Sequence, residues 1–179
     1  EANPAMTGRM AKHLLARSCD IVDPGDTTPS SDGGWKTNAA GFRFNQNYGF
    51  GLIDADEFTR MAAQYSGVSP LALAESPLTP VETMVEGFGE LQRSVSLTGT
   101  APLEEVEVFM DFSSIYRGSL EGIIRSPSGT TARIFAPALF DPAADTYEGR
   151  TGWWFTVNTF WGENPSGTWT LALKTHAVY

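Results

Sequence analysis

Cysteine is nearly absent. Cys19 stands alone, so no disulfide can form within the chain. Histidine is almost as rare, with only His13 and His176. A serine or cysteine nucleophile needs a base within hydrogen-bond reach, and neither histidine lies near a Gly-x-Ser-x-Gly turn. Zinc wants several His or Cys ligands, and three such residues at scattered positions make no recognisable site. No glycine-rich phosphate loop or dinucleotide fingerprint occurs. Positive charge is also scarce. Lys plus Arg total 12 against 21 for Asp plus Glu, a formal net charge of -9, which argues against a nucleic-acid binder. No apolar run approaches the ~20 residues of a membrane-spanning helix. The first residues, Glu1-Ala2-Asn3-Pro4, lack the basic and apolar regions of a signal peptide and the initiator Met. The sequence reads as a piece of something longer.

What is present is glycine, proline and apolar alternation. With 41% apolar and 18% charged residues over 179 positions, the chain can build a core. Thr7 is placed to cap a helix over residues 8 to 18, with Met10, Leu14 and Leu15 at helical spacing and Cys19 following. His13 then falls on the solvent side. Asp23-Pro24-Gly25-Asp26 marks a stop. Asp54 is placed to cap a second helix, with Asp56 and Glu57 in its first turn. Phe58, Met61, Ala62 and Tyr65 form its apolar stripe, which predicts core packing. Pro70, Pro77 and Pro80 mark residues 66–80 as a linker.

Beyond the linker the period changes from helical to alternating. Val95 and Leu97 open a strand. Val106, Val108, Met110 and Phe112 alternate with Glu105, Glu107, Phe109 and Asp111. Leu120 to Ile124, Thr131 to Phe135 and Trp153 to Val157 follow as strands, with Ser126-Pro127-Ser128-Gly129 as a turn. Between Phe160 and Leu171 lie two tryptophans with a Gly/Pro/Asn cluster between them. Trp169, Leu171 and Leu173 then share one face, and Thr170, Ala172 and Lys174 the other. This density of strands and turns predicts a mainly β fold of sandwich or jelly-roll type. Two chemistries can be written on it. Two carboxylates from among Glu105, Glu107 and Asp111 could serve as the pair that glycosidases use, although a solvated strand face explains them equally well. The loop Asp141-Pro142-Ala143-Ala144-Asp145 could offer oxygens to calcium, without the ligand density of an EF-hand.

Several segments, in order, resemble the C-terminal part of a kexin/furin-type, subtilisin-like serine protease. Asn3-Pro4-Ala5-Met6-Thr7, Trp35-Lys36-Thr37-Asn38-Ala39-Ala40-Gly41 and Asn47-Tyr48-Gly49-Phe50-Gly51-Leu52-Ile53-Asp54-Ala55 are similar to the end of that catalytic domain. Tyr116-Arg117-Gly118-Ser119-Leu120, Ser126-Pro127-Ser128-Gly129-Thr130 and Trp161-Gly162-Glu163-Asn164 with Gly167-Thr168-Trp169 are similar to its P domain. The resemblance implies a helical remnant of a subtilisin-like α/β domain over 1–65, a linker over 66–80, and a jelly-roll P domain over 81–179. It implies Arg117, Gly118, Ser126, Pro127, Gly129, Trp161, Gly162, Glu163 and Trp169 as structural motif residues. It places the Asp, His, Ser triad and the oxyanion asparagine upstream of Glu1, so no catalytic residue is carried over. It also implies a secreted or periplasmic protein, with the catalytic domain as partner and calcium as a candidate ion. No nucleic acid or membrane partner is implied.

The chain departs from the family at two places. Ser114 and Ser119 stand where a His–Asp pair is common, and a last strand is missing or replaced by Ala177 to Tyr179. Without the catalytic domain, the apolar faces of residues 1–65 would offer a route to self-association. A rival reading is a carbohydrate-binding jelly roll that uses Tyr116, Trp153, Trp154 or Trp161 as stacking platforms. Trp153 and Trp154 are adjacent and should point to opposite faces of a strand, leaving at least one exposed. A stand-alone adhesion or interaction domain is the third reading.

Overall fold

The computed structural model describes residues 2–81, 88–112, 117–137 and 152–176. The chain forms two compact units, Glu1–Ala72 and Leu73–Tyr179. In the first, helix α1 runs over Gly8–Ser18. The Thr7 hydroxyl accepts the Met10 amide at 3.2 Å, satisfying one of the free N–H groups of the first turn. Met10 and Leu14 are buried on its inner face, while Leu15 is half-buried. Strand β1 (Cys19–Asp20) follows directly. A short hairpin joins β2 (Lys36–Thr37) to β3 (Arg43–Phe44), and β4 (Leu52–Ile53) returns to pair antiparallel with β1. Helix α2 (Ala55–Gln64) starts on Asp54, whose carboxylate accepts the Glu57 amide at 2.9 Å. Of its predicted stripe only Ala62 is fully buried, and Phe58, Met61 and Tyr65 are half-buried. Asn3 ties the far end of α2 back, its amide donating to the carbonyls of Ala62 at 2.9 Å and Tyr65 at 3.0 Å.

The loop between β1 and β2 is built on Asp26. One oxygen accepts the Thr28 amide at 2.9 Å and the Thr28 hydroxyl at 2.8 Å; the other accepts the Asn45 side-chain amide at 2.9 Å. Both Asp26 and Asn45 are buried. A carboxylate with three such donors is stabilised in its charged form. These bonds, the Asn45 amide first, hold the Asp26 pKa at about 2, below the ordinary 3.8.

The second unit is a β-sandwich, as its strand density predicts. Its strands are β5 (Glu90–Leu97), β6 (Val106–Met110), β7 (Leu120–Arg125), β8 (Thr131–Phe135), β9 (Trp153–Val157) and β10 (Gly167–Thr175). One antiparallel sheet has the order β5-β10-β7-β8; β6 and β9 form an antiparallel ribbon. Between them lies one core of Ile124, Ala132, Val157, Phe160 and Trp169, extended by Val106, Val108 and Leu171. The alternation in β6 sends its valines inward and Glu107 outward, as period 2 requires.

Two details differ from the sequence reading. Ala172, on the supposedly polar face of β10, is buried, because β10 is a central strand with neighbours at Gln92 and Ile123. In β7 a register shift between Gly122 and Ile123 sets Phe135 against Gly122, where a Cβ would come within 2.6 Å of the ring.

Asp26 generates a pH prediction. Its folded pKa lies below its unfolded value. Its contribution to stability is therefore complete above about 3.8 and is lost as pH falls through about 2. A melting curve followed by near-ultraviolet circular dichroism should fall across this window in the natural chain. Asp26→Asn should flatten the fall while lowering stability at neutral pH; an unchanged profile would contradict the assignment.

Candidate functional site

Seven of the nine motif residues converge at one end of the sandwich, where two turns meet. The first joins β7 to β8. There the Ser126 amide donates to the Thr130 carbonyl at 2.9 Å, and the Gly129 amide to the Ser126 carbonyl at 3.0 Å. The second follows β9. There the Trp161 amide donates to the Asn158 carbonyl at 3.1 Å, and the Glu163 amide to the Phe160 carbonyl at 3.0 Å. The chain just before β6 locks onto this turn. The Gly162 amide donates to the Leu103 carbonyl at 2.7 Å and the Leu103 amide to the Glu163 carbonyl at 2.9 Å.

The Glu163 side chain fastens the two turns to each other. It is only 2% exposed, and its Oε1 accepts a hydrogen bond from the Thr130 hydroxyl. A buried carboxylate costs free energy unless it is hydrogen-bonded, so the bond to the neighbouring turn is part of what lets it stay inside. Pro127 closes the gap. Gly167 sits at φ +126°, and a Cβ there would lie 2.7 Å from the Pro127 Cβ. Only glycine accepts both the backbone angle and the approach.

Below the turns, the Trp169 indole N–H donates to the Pro165 carbonyl at 2.9 Å, and the ring meets Phe160 edge-on with centroids 5.0 Å apart. Asn164 accepts the Ser166 amide at 2.9 Å, and the Ser166 hydroxyl donates to the Gly99 carbonyl at 2.5 Å. Leu103, Pro165 and Gly99 act here through backbone groups, which no side-chain motif signals.

Arg117 and Gly118 do not join this cluster. They lie in a 3-10 turn, Arg117–Ser119, at the opposite end of β7, where the His176 amide donates to the Ser119 carbonyl at 2.8 Å. Tyr116, Ser114, the acidic loop 141–145 and residues 177–179 lie outside the described residues.

The arrangement is structural chemistry. Among the described residues no group of three or more His, Cys, Asp or Glu could hold a metal ion. His176 Nε2 stands 2.8 Å from Glu121 Oε2. Burial raises the Cys19 thiol above its ordinary value, as does Asp20 beside it, so it is a poor nucleophile. Trp161 is 4% exposed and cannot serve as a stacking platform, which corrects that part of the carbohydrate reading; the turn folds its ring into the core. Trp153 and Trp154 are both exposed, at 52% and 63%, although as neighbours in β9 they point to opposite faces.

Comparison with known proteins identifies the second unit. The family model of the proprotein convertase P-domain matches residues 103–178. These residues form a P domain of the proprotein convertase type. The chain as a whole is 30% identical to the proprotein convertase subtilisin/kexin type 4 of Homo sapiens, covering all of this chain and 23% of that protein. It is 32% identical to the neuroendocrine convertase 2 of Drosophila melanogaster, over 97% of this chain and 27% of that protein. The serine protease of Aeromonas sobria superposes on 98% of the chain with TM-score 0.81 and 25% identity, using 34% of its own length. The chain thus spans about a quarter to a third of these three proteins. Over nearly its whole length the chain is thus similar to part of kexin/furin-type, subtilisin-like proteases.

Trp169→Ala should cost about 3–5 kcal/mol, the range for deleting a buried large aromatic, and Gly167→Ala about 1–3 kcal/mol from backbone strain alone. Urea unfolding of the full chain measures both. A Gly167→Ala chain as stable as the natural one would show that Pro127 yields freely.

Proposed function

We propose that this chain is the non-catalytic C-terminal part of a secreted or periplasmic subtilisin-like serine endopeptidase, in which the P domain stabilises the catalytic domain. The nine motif residues serve the P-domain architecture rather than a reaction. The observation that carries this reading lies in the first unit. Leu52 and Ile53 of β4 are 63% and 56% exposed, and among the described residues β4 pairs only with the two-residue strand β1. A two-strand sheet with apolar residues in solvent is the edge of a larger layered domain, because such sheets are not stable alone. Loss of solvent exposure at those side chains would seat the first unit in that catalytic domain, at roughly 25 cal/mol per Å², and so tether the P domain to it. No residue here matches a catalytic motif, so hydrolysis belongs to the preceding domain. The carbohydrate reading keeps only Trp153 and Trp154 of its platforms among the described residues.

Two measurements test this. The purified chain should leave fluorogenic peptides uncut, and turnover that survives repurification would overturn the proposal. Expressed in cis with a subtilisin-like catalytic domain encoded before it, the chain should raise that domain's melting temperature by several degrees. Leu52→Asp should erase most of the rise.

A further inference from the structure

The outer face of the β6–β9 ribbon is occupied by aromatic and acidic side chains that the motif cluster does not use. Val106, Val108 and Val157 pack inward on the core, which turns Glu107, Phe109, Trp154 and Thr156 outward. The register sets Phe109 opposite Trp154 and Glu107 opposite Thr156. The Phe109 and Trp154 rings meet with centroids 5.1 Å apart and planes inclined at 56°. Phe109 is fixed from below: a Cβ on Gly152 would fall 1.9 Å from its ring, so the ring lies directly against that backbone. Trp154 leans on this anchored ring with 63% of its surface still in water. A large aromatic held in place and left exposed is a recognition element rather than a core residue.

Charge says what it recognises. Glu105 and Glu107 are exposed, as is Asp111 just past the end of β6, and neither β6 nor β9 contains a lysine or arginine. Glu107 lies two residues from Phe109 on the same face, about 7 Å along the strand. An arginine guanidinium stacks on an indole face through its planar cation and forms charge-assisted hydrogen bonds to a neighbouring carboxylate.

We propose that this face docks a basic polypeptide segment, with an arginine side chain laid over Trp154 and bonded to Glu107. The contact uses side chains of β6 and β9 and none of the motif turns. Lysine in place of arginine binds less well, because an ammonium stacks without the planar fork.

The test uses the full chain and an acetylated, amidated heptapeptide of alternating glycine and arginine, followed by tryptophan fluorescence and by the Trp154 indole resonance in NMR. Saturable quenching is expected, weaker with the lysine peptide and weaker as salt is raised. Trp154→Ala and Glu107→Gln should each weaken binding by about fivefold or more, and Trp154→Phe by less. Thermal melts should show all three variants folded, since both positions are exposed. Glu75→Gln, a charge removed elsewhere on the surface, should change nothing. The proposal fails if Glu75→Gln weakens binding as much as Glu107→Gln, which would mean net charge alone attracts the peptide. It also fails if the Trp154 resonance does not move, if laminarihexaose shifts that resonance in place of the peptide, or if Trp154→Ala abolishes self-association of the chain instead.

Discussion

The second unit depends on one hydrogen bond made inside the protein, from the Trp169 indole to the Pro165 carbonyl. It lets a large ring enter the core with its single polar atom satisfied. It also pins the chain leaving the Trp161–Glu163 turn to the start of β10. Because β10 is flanked by both β5 and β7, fixing its first turn fixes the register of three strands. Phe160, edge-on to Trp169, belongs to the segment that ends the ribbon. The same ring therefore joins the four-stranded sheet to the two-stranded one. Much of the remaining core consists of aliphatic side chains filling the space these two aromatics define.

The Glu163 carboxylate plays the complementary part at the rim. Turns are where sandwiches accumulate unpaired backbone groups, and here two turns and the approach to β6 share their donors and acceptors across one small region. Glu163 contributes its backbone to Leu103 and its side chain to Thr130. Removing either partner would leave a buried polar group exposed to its full desolvation penalty. That coupling explains why Ser126, Pro127, Gly129, Gly162, Glu163 and Gly167 belong together in space although two separate turns supply them.

Features set by neighbours along the chain were legible in the sequence. Thr7 and Asp54 cap the two helices because a cap is decided within four residues, and both helices begin where those residues predict. The inward valines of β6 follow from period 2 alone. Features set across the sheet were not legible. The burial of Ala172 depends on β10 being central, and the placement of Phe135 on Gly122 depends on a register shift; neither leaves a trace in local alternation. The tryptophans show the same limit. Sequence offered Trp161 both as a motif residue anchoring the sandwich and, in the rival reading, as a platform beside Trp154; only its burial in the structure decides between them. The family resemblance named Ser126–Gly129 and Trp161–Glu163 as motif residues without bringing them together, and the contact that does so, Thr130 to Glu163, has no local signature.

Glutamate appears in this domain in two opposite physical states, and the contrast separates architecture from recognition. Glu163 is enclosed, bonded to a neighbouring turn, and unavailable to any ligand. Glu107 stands in solvent beside an anchored aromatic pair on a ribbon without a cation. A buried acid is held there by its bonds to the fold, so changing it reports on stability. An exposed acid contributes little to stability through surface pairing, typically under about 1 kcal/mol, so its position is left for an interaction outside the chain to use. The core could form with a serine in place of Trp154. That the ribbon instead carries a tryptophan, braced by Phe109 over the bare backbone of Gly152 and bordered by carboxylates, is what folding alone does not account for.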